Sequence, residues 1–524
     1  MPTPRAGQVT IGTDHLNPMR GKGEPQLRKL HALTLVAVVA GATAAVAVAA
    51  TITGPSSSQS PYVIRSSPGT VVKSILTVGD SVNAKADGVT PYRMVGIPDG
   101  LGAFDNGDGT FSVLMNHELR TTVGVTRDHG AKGSFVSKWT IAKDDLQVLK
   151  GEDLIKDVFV WSGGAYVQAD GNPDAAIAAK GVFNRLCSAD LPGARAFYNP
   201  ASGKGYAGRI FMNGEESGPE GRAFAHVVDG PDAGRSYELP YLGKFSWENS
   251  VTHPNAGDKT IVVGFDDATP GQVYVYVGDK RSTGNAAERA GLGGGKLYGV
   301  KVTGFPTETD TVFPGANTPF TLADLGYVAT KTGAVLDAES KTALVTDFQR
   351  PEDGAWDPND LNTFYFATTR DTAFPSRLWR VSFADAATPG LGGTITPVLD
   401  GTEGHQMLDN LTVDDRRRVL LQEDPGGDRL NGKSYLAKVW VYDIASDKLT
   451  EVAHHDPMRF DEDLATSSFL TGNEESSGII PVFDILGTGW YLADVQAHYG
   501  TDTETVEGGQ MFAIHVPPGK KFAK

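Results

Sequence analysis

Residues 247–268 read WENSVTHPNAGDKTIVVGFDDA, and the order of residue types in this stretch decides the fold. Glu248 opens it, a turn of Pro, Asn, Ala, Gly and Asp follows, and a run with alternating apolar positions ends on Asp266 and Asp267. An apolar run of this length, bounded by Gly, Asn and Pro, is typical of a β-strand between turns. The stretch therefore predicts a hairpin with acidic residues at its open ends.

The same unit recurs along the chain as an acidic residue near Gly or Asn, a turn, a strand and a polar or acidic cluster. Other copies are PDGLGAFDNGDGTFSVLMNHEL (98–119), NRLCSADLP with RIFMNGEES (184–192 and 209–217), RPEDGAWDPNDLNTFYFATTRD (350–371), LDNLTVDDRRRVLLQEDPG (408–426) and EESSGIIPVFDILGTGWYLADVQAH (474–498). Head and tail are 17 residues apart from Asp99 to Asn116 and from Glu352 to Thr369, and 18 apart from Glu248 to Asp266.

About six hairpin units at irregular intervals predict an all-β fold, a six-bladed β-propeller. Residues 280–340 and 426–465 are expected to be loops inserted between or within blades. Because the intervals are unequal, a pair of β-sandwiches stays an alternative at this point.

The chain begins with a segment of different composition. Residues 33–50, LTLVAVVAGATAAVAVAA, form an apolar run that follows Arg28 and Lys29 and precedes a Ser/Pro-rich stretch. This layout predicts a signal peptide over 1–49, a linker over 50–70 and a single propeller domain over 71–524 in an exported protein. An uncleaved membrane anchor is the alternative. Arg28-Lys29 is not a twin-arginine pair, so the export route stays open.

The charge balance limits the class of partner. The formal net charge is −16, and without residues 1–49 it is about −19, which argues against a nucleic-acid surface. A single cysteine, Cys187, excludes an intrachain disulfide and leaves a buried thiol, a reactive thiol or a metal ligand.

In a propeller the inner strands begin near one axis, so equivalent strand ends converge on one funnel. The acidic residues that would converge are Glu118, Glu215, Glu216, Glu248, Glu352, Glu423 and Glu475. Neighbouring carboxylates raise one another's pKa, and hard cations such as calcium, magnesium, manganese or ferric iron relieve this repulsion. No HExxH, CxxC, P-loop or EF-hand pattern competes with this interpretation.

The segments VLMNHEL, RLCSADLP, RIFMNGEES, KFSWENS with VVGFDDATPGQVYVYVG, RPEDGAWDP, LDNLTVD and ADVQAHYG resemble, in order, those of PhoX-type alkaline phosphatases. The resemblance spans residues 111 to 500. It implies an exported bacterial enzyme with a six-bladed propeller whose funnel holds two ferric ions and several calcium ions. It also implies metal ligands, which with the repeat ends make the expected set Glu118, Cys187, Glu215, Glu216, Glu248, Asp266, Glu352, Asp409, Glu423 and Glu475.

The leading hypothesis is therefore an exported, monomeric phosphoric-ester hydrolase. Its cations would clamp the phosphoryl oxygens and supply a metal-bound oxygen nucleophile, and Arg350 and Arg370 are expected to contact a small-molecule phosphate ester. Two alternatives are a calcium-stabilised propeller that binds a ligand without catalysis and a metal-dependent lactonase-type propeller hydrolase.

Overall fold

Six short strands line the centre of the molecule, one from each repeat. The computed structural model describes residues 51–464 and 466–517, and its inner strands are Pro98–Asp105, Leu186–Asp190, Trp247–Thr252, Pro351–Trp356, Leu408–Val413 and Glu474–Pro481. Each inner strand packs against those before and after it, and the last packs against the first. The six sheets that these strands begin are numbered here as blades 1 to 6.

Each blade continues outward from its inner strand through antiparallel neighbours. The following strands are Thr110–His117, Phe135–Ala142 and Val148–Asp153 in blade 1; Ile210–Glu215, Ala223–Val227 and Arg235–Glu238 in blade 2; and Lys259–Asp266, Gly271–Asp279, Lys296–Val302 and Thr318–Gly326 in blade 3. They are Thr363–Thr368, Arg377–Phe383 and Gly393–Leu399 in blade 4; Arg418–Glu423, Lys438–Asp443 and Lys448–His455 in blade 5; and Trp490–Gly500 and Glu507–His515 in blade 6. The six-bladed all-β propeller predicted from the repeats is confirmed.

Strands from outside the repeated units extend blades 2 and 6, and one further pairing joins blades 3 and 4. Asp157–Ser162 and Ala165–Gln168 extend the outer edge of blade 2. Val71–Thr77 pairs antiparallel with Glu507–His515 and so closes the ring by joining the two ends of the propeller. In addition, Thr318–Gly326 of blade 3 pairs with Gly393–Leu399 of blade 4, which makes one continuous sheet of these two blades.

The remaining elements are short. Two-stranded ribbons pair Ser81–Ala84 with Pro91–Arg93, Tyr198–Asn199 with Lys204–Gly205, and Arg429–Leu430 with Lys433–Ser434, and Asp347–Phe348 pairs with blade 3. The α-helices are Ala175–Ala178, Ala286–Arg289, Gly333–Thr342, Pro457–Phe460 and Phe483–Leu486. None of the described helices has the length and apolar character needed to span a membrane.

Apolar residues fill the spaces between blades because both faces of each sheet are covered. In the strand Lys259–Asp266, Val263 and Phe265 join the cluster between blades 3 and 4, whereas Val262 joins the cluster between blades 2 and 3. Side chains alternate between the two faces of a strand, so one run of apolar residues serves two clusters. Six such clusters separate the six pairs of neighbouring blades.

The three predictions about segments outside the repeats have different outcomes. The predicted signal peptide, 1–49, lies outside the described residues. Within the predicted linker, 50–70, the described residues from Thr51 onward belong to the propeller: Thr51–Ile52 pairs with Val71–Thr77, Val63–Arg65 pairs with Lys448–His455, and Val63 is fully buried. The predicted loops at 280–340 and 426–465 are wrong as loops, since they contain the outer strands of blades 3 and 5.

Candidate metal centre

Two rings of polar side chains lie at one end of the central channel. The first ring is the second residue of each inner strand, namely Asp99, Cys187, Glu248, Glu352, Asp409 and Glu475. The first residue of each inner strand pairs with a residue of the next strand, and the residue that follows this partner belongs to the second ring. The second ring therefore consists of Glu118, Glu216, Asp267, Thr369, Asp424 and His498. Nine of these twelve residues are acidic, so the repeated strand ends concentrate carboxylates at one mouth.

A β-bulge at the same place in five inner strands sets the first ring. In blade 3, Trp247 pairs with Asp266 and Ser250 with Gly264, so three steps on the inner strand match two on its partner. Blades 1, 2, 4 and 5 repeat this shift. A bulge re-aims the residues it contains, which here include the acid or thiol of the ring. In blade 6 the shift comes later, and Glu475 stays paired with Gln496.

Three overlapping groups of ligand atoms form within the rings. Within each group the ligand atoms lie no more than 4.8 Å from one another, and the groups are Asp99–Glu118–Cys187, Cys187–Glu216–Glu248 and Glu248–Glu352–Asp409. Cys187 belongs to the first two groups and Glu248 to the last two. The three groups therefore form a continuous chain of potential cation sites across blades 1 to 5.

Burial and mutual repulsion oppose ionisation of these acids. Burial, followed by the negative charges of Glu248 and Glu118, raises the pKa of Asp99 well above its usual range. Burial followed by Asp267 does the same for the pKa of Glu352, and burial raises the pKa of Glu248 to about 8. Burial also raises the pKa of the Cys187 thiol. Burial and like charge therefore favour the protonated forms of these groups, and bound cations would favour their ionised forms.

Hydrogen bonds across the axis close the channel beneath the first ring. Asn410 Nδ2 of blade 5 donates to Ser188 Oγ of blade 2 at 2.6 Å, and these two blades stand opposite each other in the ring. Ser188 Oγ in turn donates to Glu248 Oε1 at 2.6 Å. The cluster is therefore reached from one face of the propeller.

Two arginines contact the rings from their rim. Arg350 Nε lies 2.8 Å from Asp267 Oδ1, and Arg350 Nη2 lies 2.9 Å from Glu352 Oε1. Arg185 Nη2 lies 2.6 Å from Glu118 Oε1 and also contacts Glu216. These guanidinium groups supply positive charge beside the potential cation sites.

Arg370, the other arginine expected at the site, has a different environment. Its guanidinium packs over the Phe374 ring at 4.3 Å, and its Nε lies 3.8 Å from Asp310. Its backbone oxygen accepts a hydrogen bond from Arg350 Nη1 at 3.4 Å. Arg370 therefore supports Arg350 and does not itself contact a ring carboxylate.

In blade 6 the ring residue Glu475 lies beside a histidine, His498, and not beside further acids alone. Glu475 accepts a hydrogen bond from Ser477 at 2.7 Å and lies 3.8 Å from His498 Nε2, while His498 Nδ1 lies 2.7 Å from Glu507. Burial disfavours the charged imidazole, but the two glutamates raise the pKa of His498 to about 10. Glu475 is therefore already balanced by a cationic side chain and lies outside the three groups.

Three of the expected ligands are held by protein donors instead. Glu215 accepts hydrogen bonds from Arg222 Nε and Nη2, both at 2.7 Å. Glu423 accepts from Tyr435, Trp440 and two backbone amides, and Asp266 accepts from the Ser246 amide at 3.1 Å. Each lies one residue before a second-ring residue, so strand alternation turns it away from the mouth. The structure does not bring Glu215, Asp266 or Glu423 into the ligand groups.

Among the acids and arginines of the mouth, four were not expected as site residues: Asp99, Arg185, Asp267 and Asp424. The sequence carries a signal for three of them, because Asp99 heads a repeat and Asp267 and Asp424 are the second members of acidic pairs. Arg185 has a weaker signal, which is its place directly before an inner strand, as in Arg350.

The donor set fits the metals that the sequence led us to expect. Two groups combine carboxylates with the Cys187 thiol, a soft ligand suited to iron, and the third offers carboxylate oxygens alone, which suit calcium. The buried Asp494, both of whose oxygens have no hydrogen-bond partner among the described residues, adds to the local excess of acid near Glu475. The residues present can therefore hold several cations.

Comparisons with known proteins address the fold. No family model matches the chain, and no curated protein matches it. Among solved structures, Pseudomonas fluorescens PhoX in complex with vanadate, a transition-state analogue, matches with a TM-score of 0.52 at 12% identity over 86% of this chain and 95% of that chain.

Two other solved structures share less of the architecture. A GH43 β-1,3-galactosidase matches with a TM-score of 0.33 at 11% identity, over 83% of this chain and 94% of its own. A gluconolactonase from Xanthomonas campestris matches with a TM-score of 0.28 at 9% identity, over 81% of this chain and 97% of its own. At 12% identity, the match with PhoX shows that the two chains share the propeller fold and shows nothing of this chain's activity.

Proposed function

We propose that this protein is an exported, metal-dependent hydrolase of phosphoric esters. The observation that carries the proposal is the chain of three ligand groups, in which Cys187 and Glu248 are each shared by two groups. Shared ligands bring cations close together, and clustered cations are suited to a group that carries several negative oxygens, such as a phosphoryl group.

The three ligand groups would select different cations, because their donor atoms differ. The two groups that contain Cys187 would hold ferric iron, and Glu248, Glu352 and Asp409 would hold calcium. When bound, these cations would neutralise charge on the phosphoryl group and lower the pKa of water for attack on phosphorus.

The other residues of the mouth have roles that follow from their contacts. Arg350 would bind the phosphoryl oxygens once cations neutralise Asp267 and Glu352, the two carboxylates that its guanidinium contacts in the structure. Ser188 donates to Glu248 and so orients the carboxylate shared by two groups. The Ser188–Asn410 hydrogen bond excludes entry from the opposite face.

The proposal extends to the setting of the enzyme. The substrate would be a small-molecule phosphate ester and not a nucleic acid, because the chain is strongly acidic. The protein would act outside the cytoplasm as a monomer. This part rests on the signal-like residues 33–50 and on the sequence resemblance stated above.

The test is hydrolysis of p-nitrophenyl phosphate by purified protein loaded with iron and calcium, together with its metal content and visible spectrum. We expect turnover that is lost on chelation and regained on reloading, and a thiolate-to-iron absorption band that disappears in Cys187→Ser. Asp409→Asn should lower the rate by at least about 100-fold, whereas Asp415→Asn, an exposed control on the same blade, should not. Calcium without iron and without turnover would instead indicate a calcium-stabilised binding propeller, and turnover of lactones alone would indicate a lactonase.

A further inference from the structure

Arg185 occupies in blade 2 the position that Arg350 occupies in blade 4. Each arginine directly precedes the first residue of an inner strand, and each has a left-handed backbone, with φ of 50° and 58°. Each side chain also reaches back to the second-ring acid of the preceding blade, Glu118 for Arg185 and Asp267 for Arg350.

The carboxylates that Arg185 contacts are also candidate cation ligands, so a bound cation would compete with Arg185 for them. Both Glu118 and Glu216, its two carboxylate contacts, belong to ligand groups that contain Cys187. Its Nε donates to the backbone oxygen of Glu216 at 2.9 Å, a contact that cation binding leaves in place. Once cations neutralise the two carboxylates, the rest of the guanidinium fork is available to an anion.

A cavity beside Arg185 can hold that anion. Its volume is about 300 Å³, and it is lined on its basic side by Arg120, Arg185 and His498. Arg120 is exposed and has no ion-pair partner among the described residues. The acids of the same wall are Glu118, Glu475 and Glu507, of which the last two are engaged by His498. Arg185 and Arg120 are therefore the cations that remain for a ligand.

We propose that Arg185 and Arg120 bind a second anionic group of the substrate, while Arg350 and the metals hold the phosphoryl group that reacts. This inference rests on the proposed function and narrows its substrate class. The preferred substrates are phosphate esters whose alcohol part carries another phosphate or a carboxylate. Esters with a neutral alcohol part use the same metals without the second contact.

A matched pair of sugars tests this inference, with phosphate release measured from fructose 1,6-bisphosphate and from fructose 6-phosphate. We expect wild-type kcat/KM to be at least tenfold higher for the bisphosphate. Arg185→Gln and Arg120→Gln should raise KM for the bisphosphate about tenfold and remove most of that preference, at unchanged metal content. Arg350→Gln should lower kcat for both sugars.

The outcomes separate this inference from the proposed function. Equal kcat/KM for the two sugars in the wild type, or an equal loss for both in Arg185→Gln, would overturn the role of Arg185 as a substrate contact. If neither sugar is hydrolysed, the proposed function fails, and calorimetric titration of the metal-loaded protein with the same sugars tests the inference alone. Tighter binding of the bisphosphate that Arg120→Gln abolishes would then support it, and equal binding would overturn it. Arg185→Lys, which keeps the charge, replaces Arg185→Gln if the latter does not fold.

Discussion

Adjacent carboxylates at the end of a strand point in opposite directions in this protein. Glu215 is turned into the blade, where its carboxylate is bound by Arg222, and Glu216 is turned to the mouth, where it lies with Cys187 and Glu248. The alternation of side chains along a strand is sufficient to explain the difference. The same logic separates Asp266 from Asp267 and Glu423 from Asp424.

This alternation predicts different results for two substitutions of the same chemical kind. Glu215→Gln should lower the free energy of unfolding by about 3 kcal/mol, because it breaks the ion pair between the buried Glu215 and the half-buried Arg222. Glu216→Gln should change stability little but should lower the iron content of the folded protein. Urea unfolding and metal analysis of the two variants check this pair. Loss of metal from Glu215→Gln and not from Glu216→Gln would reverse the assignment.

Titration of the mouth gives a second prediction for the metal-free protein. In the fold, burial raises the pKa of Glu248 to about 8 and that of Asp424 to about 8, from ordinary values of 4.5 and 3.8. Between about pH 4 and pH 8 the folded state therefore binds more protons than the unfolded state, so stability falls as pH rises through this window. Thermal unfolding in a chelator should show a Tm that decreases from pH 5 to pH 8, and added calcium should restore it at pH 8. A Tm that rises with pH in chelator would contradict this.

At the scale of elements, the inner strand of blade 3 is fixed by the packing of one side chain. Trp247 lies between two glycines of neighbouring strands: a Cβ on Gly214 would come within 2.3 Å of its Cβ, and one on Gly264 within 2.5 Å of its ring. Trp247 directly precedes Glu248, which two ligand groups share. The absence of side chains at these two positions therefore helps to place a potential metal ligand.

Gly214→Ala should accordingly destabilise the protein by about 1–3 kcal/mol through overpacking and weaken metal binding by displacing Glu248. Gly500→Ala is the matched control, because a Cβ there meets no atom within 4 Å and the backbone is not left-handed. The measurements are the Tm and the metal content of both variants. Equal behaviour of the two would mean that Trp247 is not held in the way described.

The elements also mark how far the sequence alone could predict this structure. The repeated hairpins, and with them the propeller, could be inferred because each blade repeats the same turn and acid pattern locally. Six of the ten residues expected as metal ligands lie in the three ligand groups. The bulge that contains Glu248, and the choice between two adjacent acids, could not be inferred, because both depend on register with the next strand. The outer strands at 280–340 and 426–465 were missed because long-range pairing, and not local pattern, assigns them to blades.

At the scale of the whole molecule, the ring depends on one strand supplied from far away in the sequence. Val71–Thr77 pairs along Glu507–His515, and Val72, Ile75 and Leu76 are fully buried. Removing this strand would expose an edge strand and two interblade clusters. A chain that begins after Val78 should therefore aggregate or unfold, whereas one that begins after Gly54 keeps the closing strand and should stay folded. Circular dichroism and size-exclusion chromatography compare the two, and a stable monomer without residues 71–77 would contradict the closure.

The hydrogen bond between Ser188 and Asn410 has a consequence for how a substrate enters the site and how a product leaves it. Many propellers have an open axial channel, but here two opposite blades meet at the axis beneath the cluster, so the channel is closed on that side. If the proposed hydrolysis takes place there, the released phosphate must leave through the opening by which the next ester arrives. Substrate and product would then use the same opening, so phosphate that stays bound to the cations would block the next ester and inhibit turnover.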